Sequence, residues 1–161
     1  MLNFFKKKPS SIELFSPVDG EVVPIEAVSD EVFSSKMMGD GFAVKPMETA
    51  IFSPISGEVI SVFPTKHALA LKTAQGLEVL FHMGIDTVEL EGTPFEIFVV
   101  PGEKITEKKK LATVDLSYLE EHGKSTEIIV VFTNLGELKG QLKDMQYGHH
   151  RASARIGKVT I

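Results

Sequence analysis

The sequence predicts an all-β fold of the sandwich or barrel type. Three observations carry that expectation. Short β-prone runs recur along the chain, and proline and glycine cut them at regular intervals, the pattern of many brief strands joined by tight turns. The longest apolar runs are short, such as Ile128-Ile129-Val130-Val131-Phe132, well below the roughly 20 residues of a membrane-spanning helix. The length of 161 residues, 43% of them hydrophobic, suits one domain with a sizeable core and leaves two full domains cramped.

In chain order, residues 1–12 are expected to form a flexible arm and residues 13–161 a single domain. Leu2, Phe4 and Phe5 precede Lys6, Lys7 and Lys8. This reads as a frayed, solubilising end whose contact with an anionic membrane, through residues 1–8, is weak at most. No apolar stretch follows the lysines, so the end does not read as a signal peptide. Strands are expected over 21–23, 57–63, 69–72, 77–81, 95–100 and 127–132. One or two very short helices interrupt them. The stretch 115–121 opens with a capping aspartate and closes near Gly123. Leu135, Leu138, Leu142 and Met145 have helical spacing, although Gly136 and Gly140 weaken it.

One motif repeats. Ser16-Pro17-Val18-Asp19-Gly20-Glu21-Val22 returns as Ser53-Pro54-Ile55-Ser56-Gly57-Glu58-Val59, with five of seven positions identical. In each copy proline sets φ in a turn, glycine completes it and a strand begins. Two copies suggest two similar corners of one sheet system, not a solenoid.

Composition excludes several functions. With 17 Lys and Arg against 22 Asp and Glu, the net charge of -5 lacks the basic field that nucleic-acid binding needs. The absence of cysteine excludes a disulfide scaffold, thiolate zinc sites and cysteine nucleophiles, and fits a reducing compartment. A cytoplasmic protein is the expectation.

The chemistry concentrates in 65–86. Two β-prone runs flank a polar turn that ends in Gly76, a hairpin signal. A turn centred on Ala74 and Gln75 pairs 71 with 78, 69 with 80 and 67 with 82, so His67 and His82 face each other, with Cβ atoms about 5 Å apart. A three-residue turn with a bulge at Gly76 shifts the register but keeps the histidines neighbours. Two adjacent imidazoles can be a metal pair, a nucleophile with its helper, or packed structural rings. Thr65 offers a hydroxyl and Gly84 an unhindered carbonyl, either able to hold one ring nitrogen and so fix a tautomer. Asp86 supplies a nearby carboxylate.

These segments resemble a known family. Phe33-Ser34-Ser35-Lys36-Met37-Met38-Gly39-Asp40-Gly41-Phe42-Ala43-Val44 is similar to its Gly-Asp-Gly signature. Pro64-Thr65-Lys66-His67-Ala68 and Leu80-Phe81-His82-Met83-Gly84-Ile85-Asp86-Thr87-Val88-Glu89-Leu90 are similar to its two active-site blocks, at the same 15-residue interval between histidines. Phe132-Thr133-Asn134-Leu135 also matches. The family is the glucose-type IIA component of the bacterial phosphoenolpyruvate-dependent sugar phosphotransferase system, and the resemblance runs from about Phe15 to the C-terminus.

The resemblance implies an antiparallel β-sandwich of Greek-key or jelly-roll character, a duplicated hybrid motif. It implies a phosphoryl carrier with a phosphohistidine intermediate. Phosphate would come from the phosphocarrier HPr and pass to a sugar-specific IIB domain, and regulatory proteins would be further partners. His82 would accept the phosphoryl group through Nε2, and His67 would contact the phosphoryl oxygens. Thr65 would hold His67, and the Gly84 carbonyl would hold His82 through Nδ1. Asp86 matches the family's nearby aspartate. Val32, Phe33, Phe63 and Val88 match an apolar rim that docks partners, with some burial among them expected. Ala70 and Leu80 stand where some members carry bulkier aromatics. His149 and His150 match no family role and read as exposed structural residues.

Phosphoryl transfer suits such a site independently of the family. Its loose transition state asks the protein mainly to position groups and stabilise equatorial oxygens. No cofactor is required, and zinc at His67 and His82 would be adventitious or belong to an interface.

Two other readings are weaker. His82 and Asp86 have the His-x-x-x-Asp spacing of lysostaphin-like zinc peptidases, but a catalytic zinc needs three protein ligands and the usual His-x-His pair is absent. Val100-Pro101-Gly102-Glu103-Lys104-Ile105 resembles a turn of biotinyl and lipoyl carrier domains, but their modifiable lysine hairpin is absent.

Overall fold

The computed structural model describes residues 10–161, so the lysines and aromatics of the expected arm lie outside the described residues. Among the described residues there are fourteen strands and two short helices. They run β1 (Ser11–Phe15), β2 (Gly20–Pro24), α1 (Glu31–Ser34), β3 (Asp40–Pro46), β4 (Ala50–Phe52), β5 (Gly57–Val62), β6 (Ala68–Lys72) and β7 (Glu78–Met83). Then come β8 (Phe95–Ile97), β9 (Lys104–Ile105), β10 (Lys110–Val114), α2 (Leu116–Glu121), β11 (Ile128–Phe132), β12 (Gln141–Lys143), β13 (Gly148–His150) and β14 (Arg155–Thr160). Single 3-10 turns occupy Ile25–Ala27 and Thr87–Leu90.

Every strand pairing is antiparallel. The large sheet has the order β13-β2-β3-β11-β7-β6-β5-β9, and two smaller sheets run β1-β14-β12 and β4-β10-β8. Residues of all three sheets meet in one core, where Leu14, Phe42, Ile51, Phe81, Leu111, Phe132 and Ile156 are fully buried. The expected all-β class is therefore observed. The boundary drawn at residue 12 is corrected, because β1 begins at Ser11 and buries Ile12.

Strand β11 sits between β3 and β7 and all five of its residues are buried. Ile128, Val130 and Phe132 enter the main core. Ile129 and Val131 face the other way, into a second apolar cluster with Val23, Ile25, Val28, Phe33, Ala43 and Ile85. A strand buried on both faces reads as a continuous apolar run, which is what its sequence shows. The large sheet thus has a core face and a second, partly covered face. On β7 the two alternate: Val79, Phe81 and Met83 point to the core, and Leu80 and His82 to the second face.

The repeated motif forms two equivalent corners. Ser16 Oγ donates to the Val18 carbonyl at 2.8 Å, and Ser53 Oγ to the Ile55 carbonyl at 2.6 Å. Phe15 N–H donates to the Pro54 carbonyl, and Phe52 N–H returns the bond to the Pro17 carbonyl. Gly20 and Gly57 each lie against a backbone carbonyl, of Lys45 and Lys72, where no Cβ fits.

One helix expectation holds and two others shift. The helix at 115–121 forms as α2, with Asp115 Oδ1 accepting from Tyr118 N–H at 3.0 Å. The spacing at Leu135, Leu138, Leu142 and Met145 does not make a helix. Leu142 pairs with Val159 across β12 and β14, and Gly140 is pressed against the Leu135 side chain. All four residues still pack on the core, so their spacing marked burial and not helicity. The run 95–100 stops being a strand after Ile97, and Phe98 and Val100 face outward.

Candidate active site

The β6–β7 hairpin pairs Leu71 with Val79, Leu69 with Phe81 and Ala68 with His82. The register is thus one residue from the two-residue-turn expectation and agrees with the longer turn. Thr73 N–H closes it on the Leu77 carbonyl, and Gly76 N–H bonds the Thr73 carbonyl. Asn134 clamps the turn from β11's far end: Oδ1 accepts from Glu78 N–H and Nδ2 donates to the Gly76 carbonyl.

The histidines still meet. His82 lies on the second face of the large sheet, between Ala68 and Ile129 on the neighbouring strands. His67 stands just before β6, and its carbonyl accepts from Met83 N–H at 2.8 Å. The two ring centroids are 5.0 Å apart at 77°, edge to face.

Each ring is held at Nδ1. His82 Nδ1 lies 2.7 Å from the Gly84 carbonyl. A carbonyl only accepts, so Nδ1 carries the proton and Nε2 of the neutral ring presents a bare lone pair. His67 Nδ1 lies 2.6 Å from Thr65 Oγ1. A hydroxyl that donates there leaves the proton on Nε2 of His67, making that nitrogen a donor. Gly84 is the residue type its place requires. Its φ is +76°, and a Cβ would meet Thr87 Cγ2 at 2.5 Å and the Ser125 carbonyl at 2.9 Å.

Burial is the main influence on both rings. It lowers the His67 pKa below the usual value. The His82 pKa is lowered from 6.5 to about 4, chiefly by burial and in smaller part by the charge of a protonated His67. The Gly84 carbonyl and the carboxylates of Asp30 and Asp86 oppose that shift. At neutral pH His82 is therefore uncharged and nucleophilic.

Asp86 is exposed, in the left-handed region at φ 59°, just before the Thr87–Leu90 turn. Asp30 was missed in the sequence, although an aspartate ahead of Glu31-Val32-Phe33 is an N-cap signal. Its Oδ1 accepts from Val32 N–H at 2.8 Å and caps α1. Glu127 was also missed. Its carbonyl accepts from Gly84 N–H at 2.8 Å, and its side chain is buried.

The apolar rim divides. Val32, Phe63 and Val88 are 45%, 37% and 48% exposed. Phe63 meets the His67 ring edge to face at 5.5 Å between centroids. Phe33 is the buried member: it is 7% exposed and packs its ring on His82 at 5.1 Å, because α1 turns it inward onto Ile129 and Val131's cluster. A hollow of about 490 Å³ is lined by Met38, Ile60, Phe63, Ala70 and Leu80 among others, and Phe63 is the lining residue that also meets His67. The small Ala70 side chain leaves that space. His149 and His150 lie far off on β13, at the edge of the large sheet. Among the described residues, no three His, Cys, Asp or Glu side chains converge as a metal site would need. No helix among them is long and apolar enough to cross a membrane.

The family model for the phosphoenolpyruvate-dependent sugar phosphotransferase system, EIIA 1, matches residues 12–138. The chain is 47% identical over 149 residues to the PTS system glucose-specific EIICBA component of Streptococcus pneumoniae, covering 92% of this chain and 20% of that protein. It is 40% identical over 133 residues to the PTS system glucose-specific EIIA component of Mycoplasma capricolum, covering 83% of this chain and 84% of that one. The chain spans about one fifth of the length of the EIICBA relatives it matches. Its fold is similar to the solved glucose permease IIA from Mycoplasma capricolum, with a TM-score of 0.82 and 34% identity over 96% of this chain and 97% of that one.

Proposed function

The chain belongs to the EIIA 1 family of the phosphoenolpyruvate-dependent sugar phosphotransferase system, and we propose that His82 is its phosphoryl-accepting residue. A member of this family is a phosphotransferase component that carries phosphoryl groups in sugar uptake. The observation that supports His82 is its bond to the Gly84 carbonyl, which keeps the proton on Nδ1 and leaves Nε2 bare in a water-poor setting.

In the proposed step the Nε2 lone pair attacks phosphorus. The Nε2–P bond forms as the bond to the donor breaks, and the leaving nitrogen of the donor keeps the bonding pair. Positive charge develops on the His82 ring, where the Gly84 carbonyl faces the Nδ1 proton and stabilises it. Once the phosphoryl group is on His82, His67, held by Thr65, donates from Nε2 to one of its oxygens and readies it for onward transfer. Asp86 and Asp30 contribute negative charge that complements a basic donor surface. HPr is the proposed donor and a IIB domain the proposed acceptor. The presence of IIA together with other domains in EIICBA relatives supports a IIB partner. Val32, Phe63 and Val88 would contact them. A cytoplasmic setting and a single domain are part of this reading.

Incubation with phosphoenolpyruvate, enzyme I and HPr, followed by intact mass measurement, tests the reading. One acid-labile phosphate on the wild type and none on His82→Ala is the expected result. Normal labelling of the variant would move the acceptor elsewhere.

A further inference from the structure

Among the described residues Glu127 is the one buried acidic side chain, 8% exposed. It directly precedes β11, in a place where the chain otherwise continues with apolar residues. Its Oε1 accepts from Ser29 Oγ at 2.7 Å and from Ser125 Oγ at 2.8 Å. Its Oε2 is buried with no partner among the described residues. A carboxyl group in that state is not there for stability, since an apolar side chain of similar volume packs at lower cost. What it does is join two segments that both touch the site.

Ser29 adjoins Asp30, whose side chain caps the helix that lays Phe33 on His82. The backbone carbonyls of Glu127 and Ser125 hold the two peptide units that flank Gly84, whose own carbonyl accepts a hydrogen bond from His82 Nδ1. The Glu127 carbonyl takes Gly84 N–H at 2.8 Å, and the Ser125 carbonyl takes Ile85 N–H at 3.4 Å. The Ile85 N–H and the Gly84 carbonyl belong to one rigid peptide plane. Fixing the first therefore aims the second at His82 Nδ1.

We propose that Glu127 is a positioning residue for phosphoryl transfer. Through Ser29 and Ser125 it sets the Gly84–Ile85 peptide on one side of His82 and Phe33 on the other. The proposal rests on the reading of His82 as acceptor and touches neither the phosphoryl group nor the partner surface. Its effect belongs in the maximal rate and not in the half-saturating donor concentration. Small displacements of a reacting group are costly in rate.

Single-turnover acceptance from phospho-HPr, with NMR of the His82 Nδ1 proton, tests this. Glu127→Leu is expected to lower the saturated rate about tenfold, leave half-saturation unchanged and broaden the Nδ1 signal. Glu127→Gln keeps an accepting oxygen and is expected to recover most of the rate. A lower melting temperature with unchanged rate and unchanged Nδ1 signal would make Glu127 merely structural and overturn the proposal. If Glu127→Leu does not fold, Ser125→Ala removes one of the two side-chain bonds. An unchanged rate and proton signal there overturn the proposal equally. Failure of the underlying reading shows separately, as labelling of His82→Ala.

Discussion

The ring of Phe33 lies 5.1 Å from that of His82, tilted by 58°, and Phe33 is almost wholly buried. A residue that resembles part of a docking rim is thus a lid on the ring of the proposed acceptor. Phe33→Ala is expected to cost about 3–5 kcal/mol of stability in a denaturant melt. Water admitted to the gap relieves the burial that depresses His82, so its pKa should rise toward the usual value. A histidine NMR titration that finds it unmoved would show that Phe33 does not shield the ring.

Phe63 stands differently. It is 37% exposed and touches His67 only at the ring edge. Phe63→Ala should cost under about 1 kcal/mol, as surface changes do, and raise the HPr concentration needed for half-maximal transfer. An early melt with normal transfer would place Phe63 in the core.

The contrast between these two phenylalanines shows how far the sequence was legible. The hairpin and its two histidines were readable from two β-prone runs around a short turn; Thr65 and Gly84 were readable only as possible holders, each within two residues of a histidine, and the family resemblance assigned which ring each holds. The exact register was not, because Ala74-Gln75-Gly76 serves a two-residue or a longer turn equally well. The facing of Phe33 depended on a four-residue helix packing over β11, a contact with no local signature. Glu127 was invisible for the same reason: its partner Ser29 is 98 positions away. From local pattern it is simply the polar residue that begins an apolar strand.

The two imidazoles should be separable by half-reaction. His67→Gln leaves His82 Nδ1 on the Gly84 carbonyl and Nε2 bare, so acceptance from phospho-HPr is expected to persist. Onward transfer should fall by about a hundredfold, since an amide does not reproduce the donor geometry that imidazole holds through Thr65. Quench-flow measurement of both steps decides. Equal losses would place His67 in the acceptance step as well.

Zinc should bind this pair only weakly. The rings are 5.0 Å apart and can supply two ligands, but both Nδ1 atoms are engaged and no third ligand converges among the described residues. Calorimetry on the isolated chain is expected to give no tight stoichiometric site. Metal that survives dialysis against a chelator would contradict this.

The last prediction concerns acid. His82 is uncharged in the folded protein down to about pH 4, whereas in the unfolded chain it takes a proton near 6.5. Between those values the unfolded state binds more protons, so stability must fall as pH drops from 6.5 to 4 and be level above that window as far as this group is concerned. The whole effect is at most about 3 kcal/mol. His67, lowered in the same direction by its own burial, adds to it. Carboxylates also titrate in acid, so the wild-type slope alone is not diagnostic. His82→Gln carries no titrating group at that position and nearly the same bulk. Denaturant melts at several pH values between 4 and 7 are expected to show the variant losing less stability toward acid than the wild type. Parallel curves would mean that the folded protein charges His82 as readily as the unfolded chain does, and the nucleophile would not then be the neutral, shielded imidazole argued for above.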